Sequence, residues 1–277
     1  MHIFRAVESL SQFLEESEGR VGFVPTMGAL HQGHLELVKE AKSKSDIVVV
    51  SVYVNPTQFN NPDDLKNYPR DEEGDRSKLE SAGCDVLWFP QESDMYPDGV
   101  HSEQFDLGIL ENVMEGSFRP GHYQGVATIV DRLFSAVRPD VAIFGEKDFQ
   151  QVAVIRRMAE LKSHPTEIFT ASTIREKDGL AMSSRNLLLE PNYREASPVI
   201  YKAMKRAGED RENMSPDHAK AAAIREIQSS GLDVEYVEIV DSSTLSSIVK
   251  WDESEEPRIF VAAYAGKVRL IDNLKLN

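Results

Sequence analysis

Cysteine is nearly absent: Cys84 is the only one in 277 residues. No intrachain disulfide can form, which excludes the disulfide-stapled scaffolds of small secreted proteins. Long apolar runs are missing as well. The most continuous stretch, residues 47–54, falls far short of the ~18–20 residues of a membrane helix. Residues 1–20 mix apolar and charged side chains and lack the apolar centre of a signal peptide. Positive charge is scarce, with 31 Lys and Arg against 46 Asp and Glu and a formal net charge of −15. So acidic a surface repels phosphate backbones and anionic bilayers, which argues against nucleic-acid and membrane partners. A local basic pocket for a small anion stays open, because salt confines each charge to ~8 Å. Internal repeats and low-complexity segments are also lacking. What is present, 41% hydrophobic and 28% charged residues, suits a cytoplasmic globular protein of one large or two smaller domains.

The first two-thirds of the chain alternates two periodicities. Val7, Leu10 and Leu14 fall on one helix face, as do Leu35, Val38 and Ala41, and Val126, Val130, Leu133 and Val137. Between these lie short β-branched runs at 21–24, 47–54, 86–89, 141–144 and 167–171, with another helix expected at 152–161. Strands alternating with helices predict an α/β fold, a Rossmann-like doubly wound parallel sheet. After about residue 176 the order changes to helices at 193–207 and 215–229, then strands at 233–240, 258–264 and 267–271. The expectation is a domain over 1–176 followed by a smaller α+β domain over 177–277, with a tight turn at Ala265-Gly266.

Four polar strings stand where strands of the first domain end or where the domains meet. Residues 25–34 carry Met27, Gly28, Ala29, Leu30, His31, Gln32, Gly33 and His34 at the passage from the first strong strand into a helix. Ligands of open α/β sheets bind beyond the strands' carboxyl ends, and a helix start offers free N–H groups to phosphate. The glycines allow close approach, and imidazoles can stabilise charge developing on phosphorus. Taken alone, two histidines three apart could equally be incidental, or part of a metal site that lacks its other ligands. The second string, Asn55-Pro56-Thr57-Gln58-Phe59, should open on the same edge, and the Gln58 amide both donates and accepts. An acidic helix start follows, with Asp71, Glu72, Glu73 and Asp75. The third string holds Gly145, Glu146, Lys147, Asp148, Phe149, Gln150 and Gln151, and the fourth Met182, Ser183, Ser184, Arg185 and Asn186. Two hydroxyls and a guanidinium can wrap a polyphosphate, although such a triplet alone is most often an ordinary loop. Residues 145–185 hold seven Lys or Arg against six Asp or Glu, so basic charge gathers where phosphates are expected.

Together these strings carry a resemblance. His31-Gln32-Gly33-His34 after the strand is similar to the nucleotidyltransferase superfamily, which includes the class I aminoacyl-tRNA synthetases. PTMGALHQGH, VNPTQF, GEKDFQQ and DGLAMSSRN, with GSFRPGHYQGV at residues 116–126, resemble the pantothenate synthetase family in order and spacing. The third string departs from the family only in Phe149 for tyrosine, which removes one hydroxyl. The resemblance implies a ligase that activates pantoate with ATP as an adenylate and joins it to β-alanine. It implies ATP contacts at Met27 to His34, Gly145, Glu146, Lys147, Asp148, Ile174, Met182, Ser183, Ser184 and Arg185. It also implies pantoate contacts at Gln58 and Gln151, β-alanine at Gln58, Mg²⁺ at Asp75, and catalytic roles for His34 (proton donor), His31 and Lys147. A homodimer is implied too, with a second domain closing as a lid over the adenylate. For the string at 116–126 the resemblance carries over a loop leading into a helix near the active site, and no catalytic role is carried over with it. The rival readings are an adenylyltransferase for a nucleotide or pantetheine phosphate, which has no need of the two glutamines, and a nucleotide sensor or tRNA-interacting protein, against which the acidity argues.

Overall fold

The computed structural model describes residues 1–276 and divides into two compact units, residues 1–172 and 173–277. The break falls four residues before the expected boundary. The first unit runs β1 (His2–Phe4), α1 (Val7–Glu15), β2 (Val21–Thr26), α2 (Gln32–Lys42), β3 (Ile47–Val52), α3 (Pro62–Asn67), α4 (Glu72–Ser81), β4 (Val86–Trp88), α5 (Glu92–Met95), α6 (Met114–Phe118), α7 (His122–Val137), β5 (Val141–Gly145), α8 (Phe149–Leu161) and β6 (Glu167–Ala171). Its six strands form one parallel sheet in the order β1-β4-β3-β2-β5-β6. From β2 the chain moves outward through β3 and β4, then returns to the other side of β2 with β5. The order therefore reverses between β2 and β5, the switch point where open α/β sheets leave a crevice for ligands.

Period-2 side-chain alternation explains the burial. Phe23, Val49, Trp88, Ala142 and Phe144 pack on one face against α1, α7 and α8, while Val24, Val48, Val50, Leu87 and Ile143 pack on the other with Val38, Ala41 and Leu79 of α2 and α4. Burial on both faces is why β3 reads as an unbroken apolar run. The edge strand β1 was not expected. It has three residues, its exposed Ile3 adds little pattern, and it exists through its pairing with β4. Among the described residues no helix is long and apolar enough to cross a membrane.

The second unit contains α9 (Pro191–Ala196), α10 (Val199–Glu209), α11 (Pro216–Ser229), β7 (Asp233–Asp241), β8 (Pro257–Ala265) and β9 (Val268–Lys275). The strands form an antiparallel meander, β7-β8-β9. Gly266 turns the last hairpin at a φ of 61°, the left-handed region that glycine enters without steric cost. Ile200, Met204, Ala223 and Ile227 of the helices cover Ile239, Ile259 and Val261 of the sheet. The helix expected over 193–207 is two helices, because Pro198 has no N–H to continue the first. Both layers of this unit follow from patterning; the break follows from one residue.

Candidate active site

Parallel strands place the ends of β2, β3 and β5 on one edge, and the first three polar strings occupy it. The first begins with two consecutive left-handed residues, Gly28 at φ 83° and Ala29 at φ 50°. A Cβ on Gly28 would lie 2.9 Å from Val52 Cγ1 and 3.0 Å from Asp75 Oδ2, so glycine is required by space as well as by φ. Ala29 has no such freedom, and its conformation costs roughly 1–2 kcal/mol. Asp75 of α4 offsets this cost. Its carboxylate is 1% exposed and accepts from Ala29 N at 2.8 Å and Leu30 N at 2.6 Å. Thr26 closes the base of the turn, donating to Ser51 O at 2.8 Å and accepting from Gly28 N at 3.3 Å.

Asp75, the acid expected at a metal, thus has a task within the fold as well. Both its oxygens are engaged by backbone amides, it is enclosed by protein, and its pKa is raised by burial despite the amides and Lys78. Among the described residues no group of three or more His, Cys, Asp or Glu could hold a metal ion. Such a cluster is what an ion held by protein alone needs; one carried on a nucleotide's phosphates takes only one or two carboxylates.

His31 is the N-cap of α2, and its Nδ1 accepts from Gly33 N at 3.1 Å; His34 Nδ1 accepts from His31 N at 3.3 Å. The two rings thus cap the helix reciprocally, with centroids 4.1 Å apart. A nitrogen that accepts carries no proton, so each neutral ring carries its hydrogen on Nε2. Burial, then the nearby Lys147, lowers the pKa of His31 to about 4, and burial, then His31 and Lys147, holds that of His34 well below the usual histidine range. At neutral pH the first string presents two uncharged Nε2–H donors, not imidazolium ions.

Lys147 follows β5 on a short 3-10 turn over Glu146–Asp148, with Nζ 3.3 Å from Asp148 Oδ1. Its charge reaches both histidines. Gly145 differs from Gly28: its φ is −80° and a Cβ there would meet nothing within 4 Å. Nothing within the chain requires a glycine at that position.

The second string arrives on another 3-10 turn, Pro56–Gln58. Gln58 Nε2 reaches Met27 Sδ at 3.3 Å, which joins the second string to the first. Its Oε1 accepts from Asn55 Nδ2 at 3.0 Å. Asn55 is buried and fixed in turn: its Oδ1 accepts from Thr57 Oγ1 at 3.2 Å and from the phenol of Tyr96. With Oε1 engaged by Asn55 and one Nε2 hydrogen directed at Met27, the second Nε2 hydrogen is the group left to meet a ligand oxygen. Asn55 and Tyr96 were not singled out from sequence. Asn55 sits within a quoted string, but Tyr96 is 41 residues away from it and has no local signal. Of the paired glutamines, Gln150 is buried and bound to the loop before α6, while Gln151 is partly exposed.

The fourth string is built within the second unit. Arg175 and Ala181 pair across a turn at Gly179, and Met182 N donates to Ile174 O at 3.0 Å. Ser183 caps the following 3-10 turn, accepting from Arg185 N at 3.3 Å, and Asn186 Nδ2 donates to Ala181 O at 3.0 Å. Arg175 anchors the hairpin, with Nη1 2.5 Å and Nη2 3.0 Å from the carboxylate oxygens of Asp272. Cys84 is far from any such role: burial pushes its thiol up to about 12, and it donates to Val86 O at 3.2 Å.

A family model described as Pantoate-beta-alanine ligase matches residues 2–275. A relative from Porphyromonas gingivalis named pantothenate synthetase is 44% identical over 283 residues, covering 99% of each chain. The crystal structure of pantothenate synthetase from Thermus thermophilus superposes with a TM-score of 0.93 at 42% identity, over 100% of this chain and 99% of that one. A pantoate-beta-alanine ligase from Francisella tularensis, complexed with beta-gamma ATP and beta-alanine, gives 0.84 at 37% identity, over 99% and 97%.

Two outcomes are expected. Asp75→Asn leaves one buried N–H without an acceptor and should lower the unfolding free energy by about 1–3 kcal/mol in a urea titration. The loss should be equal with and without Mg²⁺; a loss that depends on Mg²⁺ would show Asp75 to be a metal ligand too. For His31, the folded pKa of about 4 lies below the ordinary 6.5. Between these values the unfolded chain binds more protons, so stability rises with pH across that window and the contribution is complete above it. His31→Ala should flatten the slope of the urea midpoint over the same range.

Proposed function

The chain belongs to the pantoate-beta-alanine ligase family, and on that premise we propose that it makes pantothenate through a pantoyl adenylate. A pantoate carboxylate oxygen attacks the α-phosphorus of ATP, the bond from that phosphorus to the bridging oxygen breaks, and pyrophosphate leaves. The amine of β-alanine then attacks the acyl carbon, the acyl–oxygen bond to phosphate breaks, AMP leaves, and the amine proton passes to solvent. No covalent attachment to the protein is needed, in keeping with a single buried thiol.

The observation that carries this reading is the pair of uncharged Nε2–H donors on His31 and His34, next to Lys147 and across Met27 from Gln58. Neutral donors fixed by their own helix need no reorganisation as charge builds on a pentavalent phosphorus, and this is where such donors act most strongly. His34 is assigned the central role. Its ring holds a hydrogen on Nε2, and the negative charge of a bound triphosphate opposes the burial that keeps the ring neutral, so it can also pass a proton to the leaving group. Lys147 supplies the fixed positive charge. Met27 to His34 and Gly145 to Asp148 contact ATP in this reading, with Ile174, Met182, Ser183, Ser184 and Arg185 of the fourth string. Gln58 and Gln151 hold pantoate, and Gln58 later meets β-alanine. Mg²⁺ would be held chiefly by the phosphate oxygens of the nucleotide, hard ligands that suit it, with Asp75 the carboxylate expected beside them. The Francisella relative, complexed with beta-gamma ATP and beta-alanine, supports two of the three substrates. The family resemblance extends the reading to a homodimer in the cytoplasm.

ATP–pyrophosphate exchange should require pantoate, and exchange that proceeds equally without it would point to another adenylyl acceptor. His34→Ala should retain the fold and lower kcat by ~10²-fold or more, the scale of one lost transition-state donor; near-normal turnover would remove it from the mechanism. Gly145→Ala should leave Tm unchanged and raise the KM for ATP, because its Cβ meets no protein atom within 4 Å. An unchanged KM would place the nucleotide elsewhere.

A further inference from the structure

The string at residues 116–126 is carried over only as a loop near the site, yet its side chains converge on one atom of that site, the main-chain oxygen of Gln58. His122 Nδ1 lies 2.7 Å from that oxygen and Arg119 Nη2 lies 3.2 Å from it. Arg119 Nη1 is 3.2 Å from His122 Nε2. A guanidinium only donates, so Nε2 accepts and the ring hydrogen sits on Nδ1, directed at Gln58. This is the opposite tautomer to that of His31 and His34, and it is fixed by the partner. Buried Glu115 backs the guanidinium at 3.4 Å, and Gln150 Oε1 accepts from Glu115 N at 3.2 Å.

A second contact works on the same turn. A Cβ on Gly125 would stand 2.4 Å from Thr57 O and 2.8 Å from Gln58 N, so α7 meets the Gln58 turn backbone to backbone. Asn55 Nδ2, which holds Gln58 Oε1, also donates to Gly125 O at 3.2 Å. The turn itself is only three residues long; its closing bond is Phe59 N to Pro56 O at 3.2 Å, and Pro56 has no N–H. So short a turn cannot set the direction of its last side chain. The direction comes from Arg119, His122 and Gly125.

We propose that Arg119 and His122 are positioning residues that aim Gln58 at the substrate acid by gripping its main-chain oxygen. The inference rests on the reading above that Gln58 holds pantoate. A displaced glutamine weakens the acid's binding and its approach to phosphorus, while the nucleotide contacts of His31, His34 and Lys147 stay in place.

The test uses the full chain and pantoate-dependent ATP–pyrophosphate exchange, with KM measured separately for pantoate and ATP and folding followed by circular dichroism and Tm. His122→Ala should raise the pantoate KM by about 10-fold or more, within the ~10²-fold that an ångström's misplacement can cost, with the ATP KM moving by less than about twofold. His122→Asn, whose amide nitrogen can stand near Nδ1, should recover most of the loss. Arg119→Lys keeps the charge beside Glu115 but loses the forked contact, and it should behave like His122→Ala should that variant fail to fold. In a Gln58→Ala background neither substitution should add more than about twofold, because residues acting through one another are not additive. Multiplicative effects in the double variants, or parallel rises in both KM values, would overturn the inference. So would an unchanged pantoate KM in His122→Ala and Arg119→Lys while Gln58→Ala raises it, which leaves the role of Gln58 standing. An unchanged pantoate KM in Gln58→Ala overturns that role and the inference with it.

Discussion

A buried carboxylate holding two backbone amides is the constraint on which the site depends. Without Asp75, the left-handed pair Gly28-Ala29 loses the two amide contacts that offset its conformational cost. The chain could then leave β2 in other directions, and α2 would not begin where its two histidines cap it. The carboxylate comes from α4, on the far side of β3 in sequence, so the start of one helix is locked by a residue of another. Such strain is commonly held at sites by surroundings that over-determine it. Here the surroundings are one aspartate, one threonine and the methyls of Val52.

From that lock the electrostatics follow. Reciprocal capping occupies both Nδ1 atoms and so decides where the hydrogens sit. Burial and Lys147 decide that the rings stay uncharged. In a chain of net charge −15, the site still offers an anion one lysine and several fixed donors. The positive charge is local, and the acidity of the remaining surface is screened beyond ~8 Å.

The glutamines show how far one side chain's role depends on others. Gln58 has its acceptor side taken by Asn55, one Nε2 hydrogen directed at Met27 and its main-chain oxygen taken by His122 and Arg119, which leaves the second Nε2 hydrogen. Gln150 and Gln151 are neighbours in sequence with different work. The first turns inward to Leu110, Val113 and Glu115, so it supports the element that carries Arg119. A run of two glutamines does not itself disclose which faces in.

The sequence by itself determined the class of fold, the order of its elements and the strings that gather at one sheet edge. These are written in short-range periodicities and in glycine, proline and histidine spacings, which need no partner to be read. It misplaced what depends on partners. The strand β1 exists because β4 is beside it, and one helix became two at Pro198. The acid expected at a metal also holds the turn 46 residues before it, a task with no local signal. The tertiary structure alone decided which nitrogen of each histidine carries the hydrogen, whether those rings are charged, and why Arg119 and His122 stand 61 and 64 residues beyond Gln58. The physical reason is the same in each case: a hydrogen bond or a desolvated charge is a property of two groups brought together, and their separation along the chain carries no local trace of it.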